Sequence, residues 1–560
     1  MKFIKKCWLF FVMASLVSLS SCNTKKAVDS SDYVKKEAPE SVLELVFTYG
    51  SEKEKWIKEV TATFNQAEYK TSTGKPIFVT EIPMGSGECV DHLLEEKTKA
   101  HLTSPASAAF IKLGNAKSRI KTGKDLIGET DNLVLSPVVI AMWKPMAEAL
   151  GWGKKQLGWK DILAMANSPQ GWGAYGYPQW GKFKFGHTHP EYSNSGLISL
   201  FAEVYAAAGK TAGLTKEDVK TKETSRFLKQ IENSVVHYGS STGFFGRKMF
   251  ANGPGYLSAA VLYENMVIES YSNQGLPFPV VAIYPKEGTF WSDHPVGIVD
   301  REWVTPIHQE AAKIYVKYLL DRQQQEKAMN YGFRPGLPEL KLTAPLDTNH
   351  GVDPQEPKTT LEVPSVDVMD AILASWKVNK KHSQIVLVLD TSGSMKGEKI
   401  SNTKTGAKRF IANLSDEDTL SILSFSDNPL WVMRSTPLRK GRAVALQTID
   451  SFIAEGKTRL YDSVDLAYQE ILQEDKITGI KAVVVLGDGK DNLSRLSLDE
   501  FLKKNQFDSE SRTIRIFTIG YGDEADKTAL ESMANRSQGK YFDGKPENIE
   551  DVFKEISTFF

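Results

Sequence analysis

Oxygen-bearing side chains crowd three short stretches in the last third of the 560-residue chain. Asp390-Thr391-Ser392-Gly393-Ser394-Met395 follows an apolar run directly. Glu455-Gly456-Lys457-Thr458-Arg459 comes just before the apolar start of a helical pattern, and Leu486-Gly487-Asp488-Gly489 ends a second apolar run. Carboxylates and hydroxyls are hard donors, suited to Mg2+, Ca2+ or Mn2+ and not to zinc or copper. Each stretch alone also reads as a plain turn, because Asp, Ser and Gly are turn formers. Two other chemistries fail on the residues themselves. Gly456-Lys457-Thr458 has the ending of a phosphate-binding loop, but Ser451 stands where the first glycine is required and a helix pattern precedes it in place of a strand. A nucleophilic Ser392 or Ser394 needs a base. The nearest histidine in sequence, His382, precedes the strand, and about seven residues at ~3.3 Å each put it at the opposite end of the sheet.

The elements around these stretches alternate. Ile385 to Leu389 is a continuous apolar run, as expected of a central parallel strand covered on both faces. Ile400, Ala407, Ile411 and Leu414 recur at helical spacing, Thr419 to Phe425 reads as a strand, and Leu446, Ile449 and Ile453 read as the inner face of a helix. Tyr461, Val464, Tyr468 and Ile471 mark another helix, Ala482 to Leu486 and Thr513 to Ile519 two more strands, and Ile549 to Phe559 a closing helix. Such alternation predicts a doubly wound α/β sheet, whose ligands bind outside the carboxyl ends of its strands. Asp390 and Asp488 both stand at such ends.

Residues 383–560 resemble a von Willebrand factor type A (VWA) domain of Rossmann-like fold carrying a metal-ion-dependent adhesion site. Asp390-x-Ser392-x-Ser394 matches its first motif, Thr458 its loop threonine and Asp488 its strand-end aspartate. The resemblance implies that Asp390, Ser392, Ser394, Thr458 and Asp488 hold one Mg2+ (or Ca2+ or Mn2+). Two carboxylates and three hydroxyls cannot neutralise and enclose fully an ion that takes about six oxygens, especially if one Asp acts through water. The ion would keep a position open, which in this family a Glu or Asp side chain of a bound protein fills. The sequence departs from the family at Gly487, where threonine is usual.

The larger part, residues 42–379, also starts as α/β. Val42 to Tyr49 reads as a strand, Trp56, Ile57, Val60 and Phe64 as a helical stripe, and Pro76 to Ile82 as a second strand. Gly85-Ser86-Gly87 then opens a helix through Leu93 and Leu94. Its free N–H groups suit an anion or carboxylate, an ordinary capped turn being the plainer alternative. Leu135-Ser136-Pro137-Val138-Val139, the helix start Leu157-Gly158-Trp159-Lys160-Asp161-Ile162-Leu163, Pro190 to Gly196, Tyr263-Glu264, Ala311 to Leu320 and Tyr331 to Pro335 resemble segments of bacterial extracellular solute-binding proteins. That resemblance implies a two-lobed, periplasmic-binding-protein-like (type 2) module closing on a ligand. Ser86, Gly87, Ser136, Ser193, Ser195 and Glu264 would line the cleft, with Ser241 and Thr242 as further candidates. Few of these are charged, which fits a small polar or oxyanionic ligand. The aromatic stretch Trp172 to Phe185 could stack on a flat ligand or pack at the hinge. His187 and His189 lack a third ligand nearby and are too few for a specific metal site. Prolines, Asp and Thr dominate from Arg334 to Pro364. Asp367 to Trp376 then reads as a helix packed back on the lobes, and Lys380-Lys381-His382 as the domain boundary.

Lys2, Lys5 and Lys6 precede an apolar run from Cys7 to Leu19, shorter than the ~20 residues of a spanning helix, which describes a secretory signal. Leu19-Ser20-Ser21-Cys22 resembles the bacterial lipobox, which implies that residues 1–21 are removed and Cys22 carries acyl chains such as palmitate. Residues 22–41 read as a polar tether. Cys89 is then the one remaining thiol, so no intramolecular disulfide forms and the cysteine acts as a small apolar group. Lys plus Arg and Asp plus Glu number 69 each, leaving no excess basic charge for a nucleic acid. The expected protein is a non-enzymatic binding lipoprotein of the cell envelope, anchored to a bacterial membrane and facing periplasm or exterior. It takes a small ligand in the cleft and an acidic protein partner at the metal. The alternative is the receptor of an ABC-type transport system with the VWA domain as docking module.

Overall fold

The computed structural model describes residues 42–473, 479–505, 507 and 514–560. The expected signal segment with Cys7, the lipidation candidate Cys22 and the tether 22–41 lie outside the described residues. Among the described residues no helix is long and apolar enough to cross a membrane.

Along the chain, β1 (Leu43–Gly50), β2 (Ile77–Met84), β3 (Leu102–Ser104) and β4 (Ile127–Asn132) come first. β5 (Val134–Trp143), β6 (Phe185–Thr188), β7 (Val235–Gly239), β8 (Ala259–Tyr263), β9 (Val280–Ile283) and β10 (Trp291–Ser292) build a second sheet. β11 (Pro295–Val299) then returns to the first, and β12 (Arg334–Pro335) pairs with β5. The first sheet has the order β2-β1-β3-β11-β4, so lobe one is assembled from two distant stretches of chain. Its helix Glu54–Gln66 buries the stripe Trp56, Ile57, Val60 and Phe64. Each such side chain contributes roughly 1.5–3 kcal/mol by leaving water. Phe64 meets Tyr315, from the returning helix Pro306–Leu319, edge to face at 4.9 Å. The second sheet has the order β10-β5-β8-β6-β7, with β9 and β12 also on β5. The chain crosses between lobes at β4–β5 and again at β10–β11. The result is the two-lobed α/β module expected.

The third sheet comprises β13 (Ser383–Asp390), β14 (Thr419–Phe425), β15 (Pro429–Pro437), β16 (Ile480–Gly487), β17 (Arg515–Tyr521) and β18 (Tyr541–Gly544), in the order β15-β14-β13-β16-β17-β18. All neighbours run parallel except β14 and β15. The apolar runs occupy the centre, where β13 and β16 are covered on both faces. Three details differ from the sequence reading. The helix expected through Ile453 spans Leu438–Asp450, and Ile453 is 76% exposed. The chain leaves the helix there because Glu455 must return to β13, where its N–H donates to the Thr391 carbonyl at 2.8 Å. The strand expected from Thr513 runs Arg515–Tyr521, Thr513 itself lying outside the described residues. β15 and β18 are added at the two edges.

The helix Val366–Asn379 packs back on lobe two, as its spacing predicts. Its Trp376 Nε1 donates to Glu232 Oε1 at 3.1 Å, and the same carboxylate meets His187 Nε2 at 3.1 Å and the Tyr238 hydroxyl at 2.6 Å. Burial opposes charge on His187, but the Glu232 carboxylate outweighs it and lifts the imidazole above its ordinary value. His187 is thus an anchor for the helix that leads into the third sheet. Its neighbour His189 lies edge-on to Trp376, and burial pushes its imidazole well below the ordinary value.

Candidate metal centre and binding cleft

β13 and β16 are parallel neighbours with Leu389 opposite Leu486, which sets Asp390 beside Gly487 and Asp488 one step beyond. The turn after β13 is tight: Ser392 N–H donates to Asp390 Oδ1 at 2.8 Å. Ser392 Oγ lies 3.0 Å from Ser394 Oγ, and Ser394 Oγ donates to Asp488 Oδ1 at 2.7 Å. Four of the five expected residues therefore form one continuous polar chain. The loop of Thr458 is held against both others by its backbone. Gly393 N–H donates to the Gly456 carbonyl at 2.9 Å, and Asn492 N–H to the Thr458 carbonyl at 3.0 Å. Asn492 Oδ1 in turn accepts from Thr458 N–H at 3.0 Å. Asp491 caps the helix Leu460–Gln473 behind Thr458, accepting from Leu460 N–H at 2.7 Å.

The electrostatics suit a cation. Asp390 is fully buried and its Oδ2 has no hydrogen-bond partner. Burial lifts its carboxyl to about 6. An orphaned buried carboxylate oxygen beside a second aspartate and two hydroxyls is costly without a counter-charge. This donor set fits the divalent metal that the resemblance implied. Gly487 fits as well: an added Cβ would meet nothing closer than Asp390 Oδ2 at 3.6 Å, so the departure from the family motif leaves room and not a clash. A residue the sequence reading missed is Lys399, whose Nζ lies 2.6 Å from Asp488 Oδ2. Its position in the first turn of the helix after the Ser394 loop was the available signal.

A pH dependence follows. Metal ligation needs the Asp390 carboxylate, and a proton competes for it below about pH 6. Apparent Mg2+ affinity should therefore fall by up to roughly tenfold per pH unit below that value, read by calorimetric titration at pH 5 and pH 7.5. Equal affinity at the two values would remove Asp390 from the site.

The cleft residues are brought together, but not as free donors. Ser86 Oγ accepts from Ala106 N–H at 2.9 Å within lobe one. Gly87 N–H donates at 2.8 Å to the Tyr192 carbonyl of lobe two, so the expected anion-binding group is used to join the lobes. A Cβ on Gly87 would stand 2.3 Å from the Glu191 carbonyl oxygen, and one on Gly243 would stand 2.9 Å from that of Ser51. Backbones of the two lobes thus touch where only glycine fits. Ser193, Thr242, Ser195 and Thr188 form a buried run of hydroxyls at 2.8–3.1 Å, and Ser136 Oγ donates to Asn265 Oδ1 at 3.2 Å. Glu264 departs from its expected role. Its carboxylate accepts from Arg334 Nε at 2.8 Å and Nη2 at 2.6 Å and from the Tyr284 hydroxyl, a buried bidentate pair that engages both oxygens within the module.

Sequence reasoning also missed a charged cluster between the lobes. Lys53 Nζ lies 2.8 Å from Glu52 Oε1 and 3.1 Å from His294 Nδ1, all of them buried. Burial works against charge on Glu52, but Lys53 and His294 hold it down at about 2. Burial and Lys53 push His294 down to about 4. Ser51 Oγ, Asn194 Oδ1 and His294 Nε2 are buried and unpartnered in the same region. Ser51 to Lys53 follow the carboxyl end of β1, the position where such sheets place ligands.

Comparison with known proteins agrees with this architecture. The family model "Bacterial extracellular solute-binding protein" matches residues 45–334, and "von Willebrand factor type A domain" matches residues 384–555. An uncharacterized protein of Synechocystis sp. is 31% identical over 157 residues, 28% of this chain and 36% of that protein. The human voltage-dependent calcium channel subunit alpha-2/delta-2 is 28% identical over 204 residues, 34% of this chain and 17% of that subunit. The chain therefore spans only a minor part of the curated relatives it matches. Among solved structures, a periplasmic thiamin binding protein aligns with 62% of this chain and 99% of its own (TM-score 0.44, 13% identity). A von Willebrand factor type A protein from Catenulispora acidiphila aligns with 32% and 42% (TM-score 0.29, 18% identity).

Proposed function

We propose a binding role without catalysis for this chain, which belongs to the bacterial extracellular solute-binding protein family and carries a von Willebrand factor type A domain after that module. In this reading the type A domain recognises an acidic side chain of a protein partner through a divalent metal, Mg2+ or else Ca2+ or Mn2+. Asp390, Ser392, Ser394, Thr458 and Asp488 would hold the ion, which supplies an electrophilic position for the partner's carboxylate. The observation that carries the reading is Asp390 Oδ2, buried and without a partner at the junction of the three loops. The chain's own residues do the rest. Backbone bonds between the loops fix the donors before the ion arrives, and Lys399 adds positive charge beside Asp488. Membership of an extracellular solute-binding family supports an envelope location, where acylation at Cys22 would tether the protein to the membrane. A small polar or oxyanionic ligand in the cleft is supported by the unpartnered Ser51, Asn194 and His294 atoms.

The test is a pull-down from solubilised envelope proteins with the immobilised chain, in Mg2+ and in EDTA. The reading expects a partner retained in Mg2+, released by EDTA, and lost when its recognised Asp or Glu is changed to Ala. Partners retained equally in EDTA would overturn it.

A further inference from the structure

The type A domain touches the two lobes in different ways. Against lobe two the contact is buried and aromatic. Arg515 lies 5.5 Å from the Tyr256 ring centroid and donates to the Val236 carbonyl at 3.4 Å. Lys540 sits 4.3 Å from the Phe244 ring centroid, Phe559 packs against His237, and Lys248 of lobe two donates to the Gly539 carbonyl at 2.9 Å. Trp376, buried on Glu232, fixes the incoming helix to the same lobe. Desolvated cations over aromatic rings make a lasting contact.

Against lobe one the contact is a row of ion pairs, at the surface except for the buried Lys554. Arg409 Nη2 lies 3.4 Å from Glu95, Lys97 Nζ 3.0 Å from Asp551, and Lys554 Nζ 4.0 Å from Asp91. The side chains of Glu95 and Asp551 are 46% and 48% exposed. Lys554 also lies 5.4 Å from the ring centroid of Tyr192 in lobe two, so the closing helix Ile549–Ser557 spans both lobes. Asp91, Glu95 and Lys97 lie on or just after the helix Ser86–Leu94, whose first turn meets Tyr192 across the cleft. One short element of lobe one therefore touches lobe two at its start and the type A domain at its end.

We propose that the type A domain is a latch on cleft closure: fixed to lobe two, it holds lobe one shut through the Arg409–Glu95, Lys97–Asp551 and Lys554–Asp91 pairs. Opening the lobes exchanges these pairs for hydration. Exposed pairs are individually weak and screened by salt, which suits a contact made and broken in use and not a permanent interface. The proposal needs neither the metal nor the identity of the cleft ligand.

Gly87 N–H is the reporter. As the second residue of its helix it has no partner within the helix, and its bond to the Tyr192 carbonyl exists only while the lobes are closed. Amide hydrogen exchange, resolved to Gly87 by fragmentation mass spectrometry on the full chain, reads the open fraction. Glu95→Lys with Asp551→Lys sets like charges across the latch and is expected to raise that exchange rate about tenfold. One molar NaCl on the unaltered chain should act in the same direction. Lys97→Glu combined with Asp551→Lys re-forms one pair with the charges swapped and should restore protection. All three residues are at the surface, so folding is not at stake. Unchanged Gly87 exchange in both the charge-reversed chain and high salt would overturn the latch, as would failure of the swapped pair to restore protection after Asp551→Lys alone had reduced it.

Discussion

Replacing Arg334 by methionine is expected to destabilise the binding module by about 3–5 kcal/mol, the usual cost of removing one partner of a buried ion pair. The change strands the Glu264 carboxylate in a site from which water is excluded, with only the Tyr284 hydroxyl left to it. It also removes the donors to the carbonyls of Asp353, Pro354 and Glu356, which tie the 353–357 loop to the module. The guanidinium further lies 5.0 Å from the Trp291 ring centroid, a contact methionine retains only in part. Because β12 and β10 both pair with β5 at the crossing between lobes, the damage falls on the hinge. Chemical denaturation followed by tryptophan fluorescence measures it. Converting both partners, Arg334→Met with Glu264→Leu, should recover much of the loss, since an apolar pair carries no stranded charge. A single substitution costing less than about 1 kcal/mol would show that Glu264 is solvated and return it to the list of cleft ligands.

That pair shows where the sequence stopped being informative. Apolar periodicity located β13 and β16 because their residues are buried on both faces, and strand-end position then located Asp390 and Asp488. The hydroxyls of Ser392 and Ser394 were legible for the same reason: they follow a strand within the loop itself. Glu264 was misread because its partner lies 70 residues away, and no local pattern announces such a pairing. Glu52, Lys53 and His294 were missed likewise, His294 arriving 241 residues later at the second crossing between the lobes. β15 escaped because an edge strand is only half covered: Leu430 is exposed and Met433 buried, without the continuous run that marks a centre. Gly87 shows a subtler limit. Its free N–H was readable from the helix start, but the Tyr192 carbonyl that takes it belongs to the other lobe.

Asp390→Asn should produce two effects of opposite sign. In the metal-free chain at pH 7.5 the wild-type carboxylate is ionised while buried. Its carboxyl stands at about 6 against an ordinary value of 3.8, so the folded protein holds a proton that the unfolded chain gives up between those values. Stability from this group therefore falls as pH rises through that window, by an order of 3 kcal/mol at about 1.4 kcal/mol per unit. Asparagine removes the charge. Its metal-free thermal midpoint should equal or exceed that of the wild type at pH 7.5 and converge with it near pH 4. Mg2+ should reverse the ranking. At a concentration one hundred times the dissociation constant a bound ion stabilises the native state by about 2.7 kcal/mol, roughly 5–10 °C for a domain of this size. The wild-type transition of the type A domain should shift by that amount and the Asp390→Asn transition hardly at all. A residue that lowers stability without the ion and is needed for stabilisation by it is serving the ion, because the hydrogen bonds its carboxylate accepts do not offset the cost of burying its charge. Equal Mg2+ shifts in the two proteins would place the metal elsewhere and leave the buried Asp390 carboxylate as an unexplained cost.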